Sequence, residues 1–300
     1  MVTVRDRLDP RILAWIATAV GDGSHVVDVA PMPDAQMLLR AIDVETGEGS
    51  RLPLVLRVYD DAERLGIDPW YVPANEETAL RLLEPTSVPA PRLIAADLQG
   101  SVFRMPALLT TRLPGSRVIH PEDLDRYLVQ LASVLPSIHA VDGEGKVPEY
   151  RPYRSDPTST LGVPTWSSRP RLWERVFEIL DGPAPETRRC FIHRDFHASN
   201  TLWENGALSG LVDWPTAAWG PPGIDLARVR LNLVDDLGPE TAARFLQIHA
   251  AFTGEADDRH PYWDLLDAAD LVLDLKPETA EEQASLGRIE EWVASVSAEL

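Results

Sequence analysis

One stretch narrows the fold of this chain more than any other: His193-Arg194-Asp195-Phe196-His197-Ala198-Ser199-Asn200, then Thr201-Leu202-Trp203, a Glu204-Asn205-Gly206 turn, and residues 208–213 ending in Asp213. The apolar run Cys190-Phe191-Ile192 ahead of it reads as a strand, so a strand delivers a loop with an aspartate at its tip. Five residues on sits an asparagine, and a tight hairpin then returns Asp213 toward them. Taken singly, Asp195 and Asn200 read as Asx caps of turns. Together at this spacing they offer a carboxylate to accept a proton from an attacking hydroxyl and oxygen donors to hold a divalent cation against phosphates.

The rest of the chain divides by pattern. Residues 26–30, 36–44 and 52–59 are apolar strand candidates, the last two joined by the turn-rich Glu45-Thr46-Gly47-Glu48-Gly49-Ser50. A helix is predicted over 75–83, ended by Glu84-Pro85, with strands over 91–96 and 102–110. Ahead of these, Asp9-Pro10 reads as the N-cap and first-turn proline of a surface helix whose inner face is Leu13, Ile16, Ala17 and Val20. Arg5, Arg7 and Arg11 before the apolar 12–20 mimic a signal peptide, but Asp6 and Asp9 spoil the positive flank, and a cytoplasmic protein is expected. Residues 111–115 break the strand pattern as a hinge. Beyond them, helices are predicted over 121–140, 172–180, 224–234, 240–252, 262–273 and 278–296, with a short strand pair 190–192 and 208–212 and a Pro- and Arg-rich loop over 146–170. The expected class is α+β, with a small antiparallel-sheet N-terminal lobe (1–110), a hinge (111–115) and a larger, mainly helical C-terminal lobe (116–300).

Charge and composition remove other classes. Three hundred residues can bury a full core without disulfides, and a lone Cys190 permits none within the chain, which fits a reducing compartment. Lys plus Arg is 28 against 47 Asp plus Glu, a net charge of −19 that repels phosphate backbones, so no nucleic-acid partner is expected. No apolar run reaches the length of a membrane span.

The segment from His193 to Asn200 matches the H-R-D-x-x-x-x-N catalytic loop of protein kinases. With His197 in a His-x-Asp-x-His-x-x-Asn pattern, Asp213-Trp214, and Gly223-Ile224-Asp225-Leu226-Ala227, it resembles more closely the aminoglycoside phosphotransferase and choline kinase branch of that superfamily. The resemblance runs from about residue 26 to 234, is strongest over 192–228, and implies a two-lobed protein-kinase-like fold. It implies Asp195 as catalytic base, Asn200 and Asp213 as Mg²⁺ ligands, and His193, His197 and Asp225 as supports of the loop. Arg57, in the place of a protein-kinase lysine, would grip the α- and β-phosphates of ATP or GTP, with Glu76 or the adjacent Glu77 as its partner. The segment 105–115 resembles the family's hinge phrase, so the backbone of Thr111 to Leu113 would face the purine, with Val55 as roof, Leu202 as floor and Val212 at the back of the slot. One departure is Ala30-Pro31-Met32-Pro33-Asp34-Ala35, which stands without glycine where relatives carry a glycine-rich phosphate loop.

The resemblance implies a small-molecule acceptor bearing a hydroxyl: an aminoglycoside, in which case cationic, or a macrolide. A metabolite such as an amino alcohol, sugar or homoserine is the alternative, and a nucleotide-binding, inactive regulatory homologue a further one that the glycine-free tip favours and the intact Asp195, Asn200 and Asp213 oppose. Trp166, Trp219, Trp263 and Asp264 are the pocket candidates, with Asp257, Asp258, Asp267 and Asp270 as further acidic residues nearby in sequence. Cys190, His193 and His197 have loosely zinc-like spacing, though no second cysteine exists. A monomer or homodimer is expected. The short interval from Asp213 to Asp225 leaves no room for a protein-kinase activation loop.

Overall fold

The computed structural model describes residues 8–32, 38–68, 71–152, 162–253, 258–273 and 275–300. Pro33, Asp34 and Ala35 of the glycine-free tip, and Asp257, lie outside them. The chain forms two compact units: Met1–Gly115 together with Ser209–Thr216, and Ser116–Leu208 together with Ala217–Leu300.

The first unit opens with α1 (Pro10–Val20), whose N-cap Asp9 accepts from the Arg11 N–H at 2.8 Å. Five antiparallel strands follow, β1 (His25–Pro31), β2 (Leu38–Glu45), β3 (Arg51–Val58), β4 (Leu93–Asp97) and β5 (Ala107–Thr111), in the order β1-β2-β3-β5-β4, with α2 (Pro73–Leu83) inserted between β3 and β4. Side chains alternate across a strand. Leu54, Leu56 and Val58 of β3 therefore join Ile42, Val44 and Leu109 in one core, while Val55 and Arg57 point to the other face. Helix α1 covers that core with Ile12, Trp15, Ile16, Ala19 and Val20 rather than with the predicted Leu13 and Ala17. The face is rotated because Trp15, edge-on to Phe103 with ring centroids 5.2 Å apart, is the larger apolar surface to bury.

Two expectations are corrected here. Residues 102–106 are not strand. The buried Asp97 carboxylate accepts from the N–H groups of Ser101, Val102 and Phe103 at 2.8, 2.7 and 3.3 Å, which winds that stretch into a turn before β5 begins. Segment 209–216, expected with the helical part, belongs to the first unit. Leu211 N–H donates to the Pro89 carbonyl at 2.7 Å, Ser209 Oγ to Pro114 at 2.7 Å, and Asn75 Nδ2 to Pro215 at 2.6 Å.

The second unit is mainly helical: α3 (Leu124–His139), α4 (Pro170–Leu180), α5 (Gly223–Leu237), α6 (Pro239–Thr253), α7 (Pro261–Val272) and α8 (Ala280–Ser297). Helix α5 is its centre, buried from Gly223 to Leu231 without interruption and packed against α6, α7 and α8. Helix α8 starts with a capping box in which Thr279 and Glu282 satisfy each other's backbone donors. The short strands are β6 (Cys190–Ile192), β7 (Thr201–Glu204), β8 (Ala207–Leu211) and β9 (Ala218–Gly220). Contrary to expectation, β6 pairs not with 208–212 but with β9, in the register Phe191 opposite Trp219. Gly220 lets Tyr150 pack against this strand pair, since a Cβ there would stand 2.5 Å from the Tyr150 Cβ. Among the described residues no helix is long and apolar enough to cross a membrane.

Candidate active site

The loop carrying Asp195 is built outward from β6. Directly after the strand the backbone turns sharply, with Arg194 at φ 71°, a left-handed conformation that a residue with a side chain adopts only when its surroundings enforce it. Asp225, fully buried on the first turn of α5, does the enforcing. Its carboxylate accepts from the His193 N–H at 3.1 Å, from the Arg194 N–H at 2.7 Å, and from His139 Nε2 at 3.0 Å. A carboxylate only accepts, so His139 carries its proton on Nε2.

The two loop histidines brace the turn. His193 Nδ1 accepts from the Asp195 N–H at 3.3 Å. His197 caps the 3-10 turn Ala198–Asn200, its Nδ1 accepting from the Ser199 N–H at 3.3 Å, and its Nε2 lies 3.4 Å from Asp195 Oδ1. Asn200 Nδ2 donates to the Asp195 carbonyl at 2.9 Å and to Oδ2 at 3.1 Å, which turns its own Oδ1 away from the aspartate. Arg228 Nε completes the ring, 3.3 Å from Asp195 Oδ1. Burial raises the proton affinity of Asp195, but the His197 hydrogen bond and the Arg228 charge outweigh it and hold the carboxyl well below the usual carboxylate range. The side chain is a quarter exposed, enough to meet a small hydroxyl.

The first unit holds a second cluster. Arg57, on the face of β3 turned away from the core, places Nη1 2.8 Å from Asp213 Oδ1 and 3.4 Å from Glu76 Oε2. Glu77 pairs instead with Arg81, one turn along α2, at 2.8 Å. Glu76 also accepts from the Tyr59 hydroxyl at 2.5 Å. Burial pushes the Glu76 carboxyl up, and the Arg57 charge opposes it. Burial works against the Arg57 charge too, yet Glu76 and Asp213 keep it firmly protonated. Asp213 stands at φ 71°. Arg57 occupies its Oδ1 and leaves Oδ2 for other partners.

The expected purine-facing residues are differently engaged. Thr111 N–H donates to the Arg92 carbonyl and Arg112 N–H to the Pro53 carbonyl, each at 2.9 Å. Within 111–113 that leaves the Leu113 N–H without a hydrogen-bond partner among the described residues. Val55, Leu113 and Val212 are half-buried in the first unit, and Leu202 on β7 is half-buried in the second.

The acceptor-pocket expectations fare differently. Asp264 is buried and ion-paired with Arg230, and Arg259 Nε lies 3.5 Å away, so it is committed within the protein rather than open to an amino group. Trp263 is buried against Gly223, where a Cβ would lie 2.4 Å from its Cδ1. Trp166 Nε1 donates to the Val272 carbonyl at 2.9 Å and its ring stands edge-on to Trp173. Trp219 is half-buried on β9, held through its main chain by Pro148 and Tyr150. Among the described residues no three His, Cys, Asp or Glu side chains converge as a metal site, so Cys190, His193 and His197 are not brought together as zinc ligands. Sequence reading missed His139 and Arg228, and offered Asp267 only as an acidic residue near the pocket rather than as the partner of Arg228. The available signal for Arg228 was its place three residues after Asp225, on the same side of a helix.

The Asn200 amide oxygen in the second unit and the Asp213 carboxylate in the first are each the kind of oxygen donor that Mg²⁺ takes. Comparison with known proteins adds the family. The N-acetylmuramate/N-acetylglucosamine kinase of Pseudomonas aeruginosa is 27% identical over 155 residues, which is 48% of this chain and 45% of that protein, so the match spans about half of either. Among solved structures, aminoglycoside phosphotransferase APH(4)-Ia in a ternary complex with AMP-PNP and hygromycin B superposes with a TM-score of 0.62 at 16% identity, covering 97% of both chains. Macrolide 2'-phosphotransferase MphH from Brachybacterium faecium gives 0.61 at 20% identity, covering 93% of this chain and 97% of that one. These likenesses show the fold. The family model described as the phosphotransferase enzyme family (APH) matches residues 39–262, and because that span runs from β2 to the start of α7, well over half of the sequence, the chain belongs to this family.

Proposed function

We propose that the protein is a small-molecule O-phosphotransferase that moves the γ-phosphoryl group of Mg-ATP to a hydroxyl of a sugar-like acceptor, with Asp195 as the base. One observation carries the reading: the Asp195 carboxylate sits among the Asn200 amide, the His197 ring and the Arg228 charge, which favour its ionised form, and it still reaches solvent. In the reaction the acceptor oxygen bonds to the γ-phosphorus, the bond to the β–γ bridging oxygen breaks, ADP leaves, and the hydroxyl proton passes to Asp195. A carboxylate held this far below neutral pH accepts that proton only once the new O–P bond has made the hydroxyl acidic, so its first task is to orient the nucleophile.

Asn200 Oδ1 and Asp213 Oδ2 are the donors proposed for Mg²⁺, which when bound neutralises phosphate charge. Arg57, kept cationic by Glu76 and Asp213, is proposed to bind the nucleotide phosphates, with the Leu113 N–H on the base edge and Val55, Val212 and Leu202 against its faces. The acceptor class rests on the similar proteins, whose names and complexes involve amino sugars, hygromycin B and macrolides. An antibiotic or a sugar metabolite satisfies the same chemistry.

The test is ADP release from Mg-ATP and Mg-GTP with N-acetylmuramate, N-acetylglucosamine, hygromycin B and a macrolide, using Asp195→Asn as reference. Turnover with one class, reduced about 10²- to 10⁴-fold in Asp195→Asn, is expected. A variant as active as the wild type, or a wild type that binds no Mg-nucleotide, overturns the reading.

A further inference from the structure

Asn200 and His197 approach Asp195 from the same loop. Arg228 does not. It projects from α5, the most deeply buried helix of its unit, and is itself 3% exposed, with Nε 3.3 Å from Asp195 Oδ1 and Nη2 3.4 Å from Asp267 Oδ1. Asp267 is equally buried on α7, and among the described residues its Oδ2 has no hydrogen-bond partner. One guanidinium thus ties the loop aspartate to two packed helices.

A buried ion pair is a poor device for stability alone, because apolar side chains of the same volume fill a helix interface at lower desolvation cost. Two ion pairs elsewhere in this chain are closer and two-pronged: Arg188 meets Asp258 at 2.8 and 2.5 Å, and Arg259 meets Glu299 at 2.5 and 2.8 Å while also standing 3.5 Å from Asp264. Arg228 instead divides its fork between two carboxylates, one of them reaching solvent at the candidate site. At 3.3 and 3.4 Å these are charge contacts, and a cation held fixed in a buried helix favours the Asp195 rotamer that brings a carboxylate oxygen toward it.

We propose that Arg228, held from behind by Asp267, is a positioning residue for Asp195, fixing the rotamer in which the carboxylate meets the acceptor hydroxyl. The proposal rests on the reading of Asp195 as base and goes beyond it, because it assigns part of the catalytic geometry to a helix outside the loop.

The experiment compares Arg228→Gln, Arg228→Lys and Asp267→Asn with the wild type and Asp195→Asn. Steady-state rates are taken with Mg-ATP and whichever of N-acetylmuramate, N-acetylglucosamine or hygromycin B the wild type turns over, and the Arg228 Nε–H resonance is followed by NMR. For a displaced base, kcat of Arg228→Gln should fall about 10- to 100-fold while the acceptor KM stays within about twofold. Arg228→Lys should recover part of the loss, Asp267→Asn should lose several-fold, and the Arg228 Nε–H resonance should shift in Asp195→Asn. A folded Arg228→Gln with wild-type kcat, or an Nε–H resonance that ignores Asp195→Asn, overturns the proposal. Should Arg228→Gln fail to fold, the isosteric Asp267→Asn and the resonance shift decide the matter. Full turnover by Asp195→Asn sinks the base assignment instead, which keeps the two failures apart.

Discussion

His249 on α6 is a buried imidazole with no use in the proposed reaction, and it shows what a single side chain can impose on the pH range of the fold. It is 4% exposed and its Nε2 has no hydrogen-bond partner among the described residues. Burial, with His139 nearby adding to it, pushes the group down to about 4. In the unfolded chain a histidine takes its proton near pH 6.5. Between those two values the unfolded state holds one proton more than the folded state, so stability is full above pH 6.5 and drains away as the pH falls toward 4. A shift of this size corresponds to roughly 3 kcal/mol at most. Urea unfolding at pH 7, 5.5 and 4 should therefore show the wild type losing more stability than His249→Gln across the range. Equal losses in the two proteins would mean that His249 is not the group responsible. The residue scale also shows where sequence reading stops. Asp195, Asn200 and Asp213 can be picked out in the sequence because the roles proposed for them depend on spacing along the chain. Arg228 is hidden from sequence reading, because on its own it looks like a charge on a solvated helix face, and its meeting with Asp195 and with Asp267, which the sequence offers only as an acid near the pocket, depends on how α5 and α7 pack. Asp264 shows the reverse: in sequence it reads as a pocket acid, and the fold pairs it with Arg230 inside the unit.

Elements were read more reliably than their pairing. The helices and first-unit strands among the described residues follow from hydrophobic period and from start signals such as Asp9-Pro10, which act over a few residues. Strand partners are set by distant chain, which is why β6 was matched with the wrong segment and β9 was missed. The misread stretch 102–106 has a local cause that leads to a prediction. Val102, Phe103 and Met105 look like strand, yet one carboxylate at Asp97 collects three successive backbone donors and coils the chain. Burial raises the Asp97 carboxyl, and the N–H groups of Val102, Ser101 and Phe103 more than reverse this and leave it lowered. Replacing Asp97 with Ala strips those donors of their acceptor and should cost about 1–3 kcal/mol in chemical denaturation, the usual penalty for unsatisfied, partly buried polar groups. Loss of order should appear first where Phe103 packs against Trp15, read as faster amide exchange in α1 and the 98–106 turn. A variant as stable as the wild type would show that the turn is held by packing alone.

At the scale of the whole molecule, the chain passes between its two units three times, after Gly115, after Leu208 and after Thr216, so the sheet-bearing unit is not one continuous piece of sequence. Its last segment is small but chemically dense. Residues 209–216 bring Asp213 to Arg57, the Leu211 N–H to Pro89, the Ser209 hydroxyl to Pro114, and the Pro215 carbonyl to Asn75. Removing the segment leaves Arg57 buried with Glu76 as its remaining carboxylate and strips partners from main-chain and side-chain groups at once. Unsatisfied buried groups each carry a penalty of about 1–3 kcal/mol, and a domain of this size is stable by only about 5–15 kcal/mol. A fragment of residues 1–115 should therefore unfold without a sharp transition in a circular-dichroism melt. The Ser209–Pro114 hydrogen bond of 2.7 Å puts the start of the missing segment beside the end of that fragment. A flexible Gly/Ser linker of a few residues after Gly115, followed by 209–216, spans the gap at little entropic cost. That joined chain should recover a cooperative melt, and changing Asp213 to Ala within it should lower the midpoint again. If residues 1–115 alone melt as sharply and as high as the joined chain, the segment contributes chemistry to the unit and nothing to its folding.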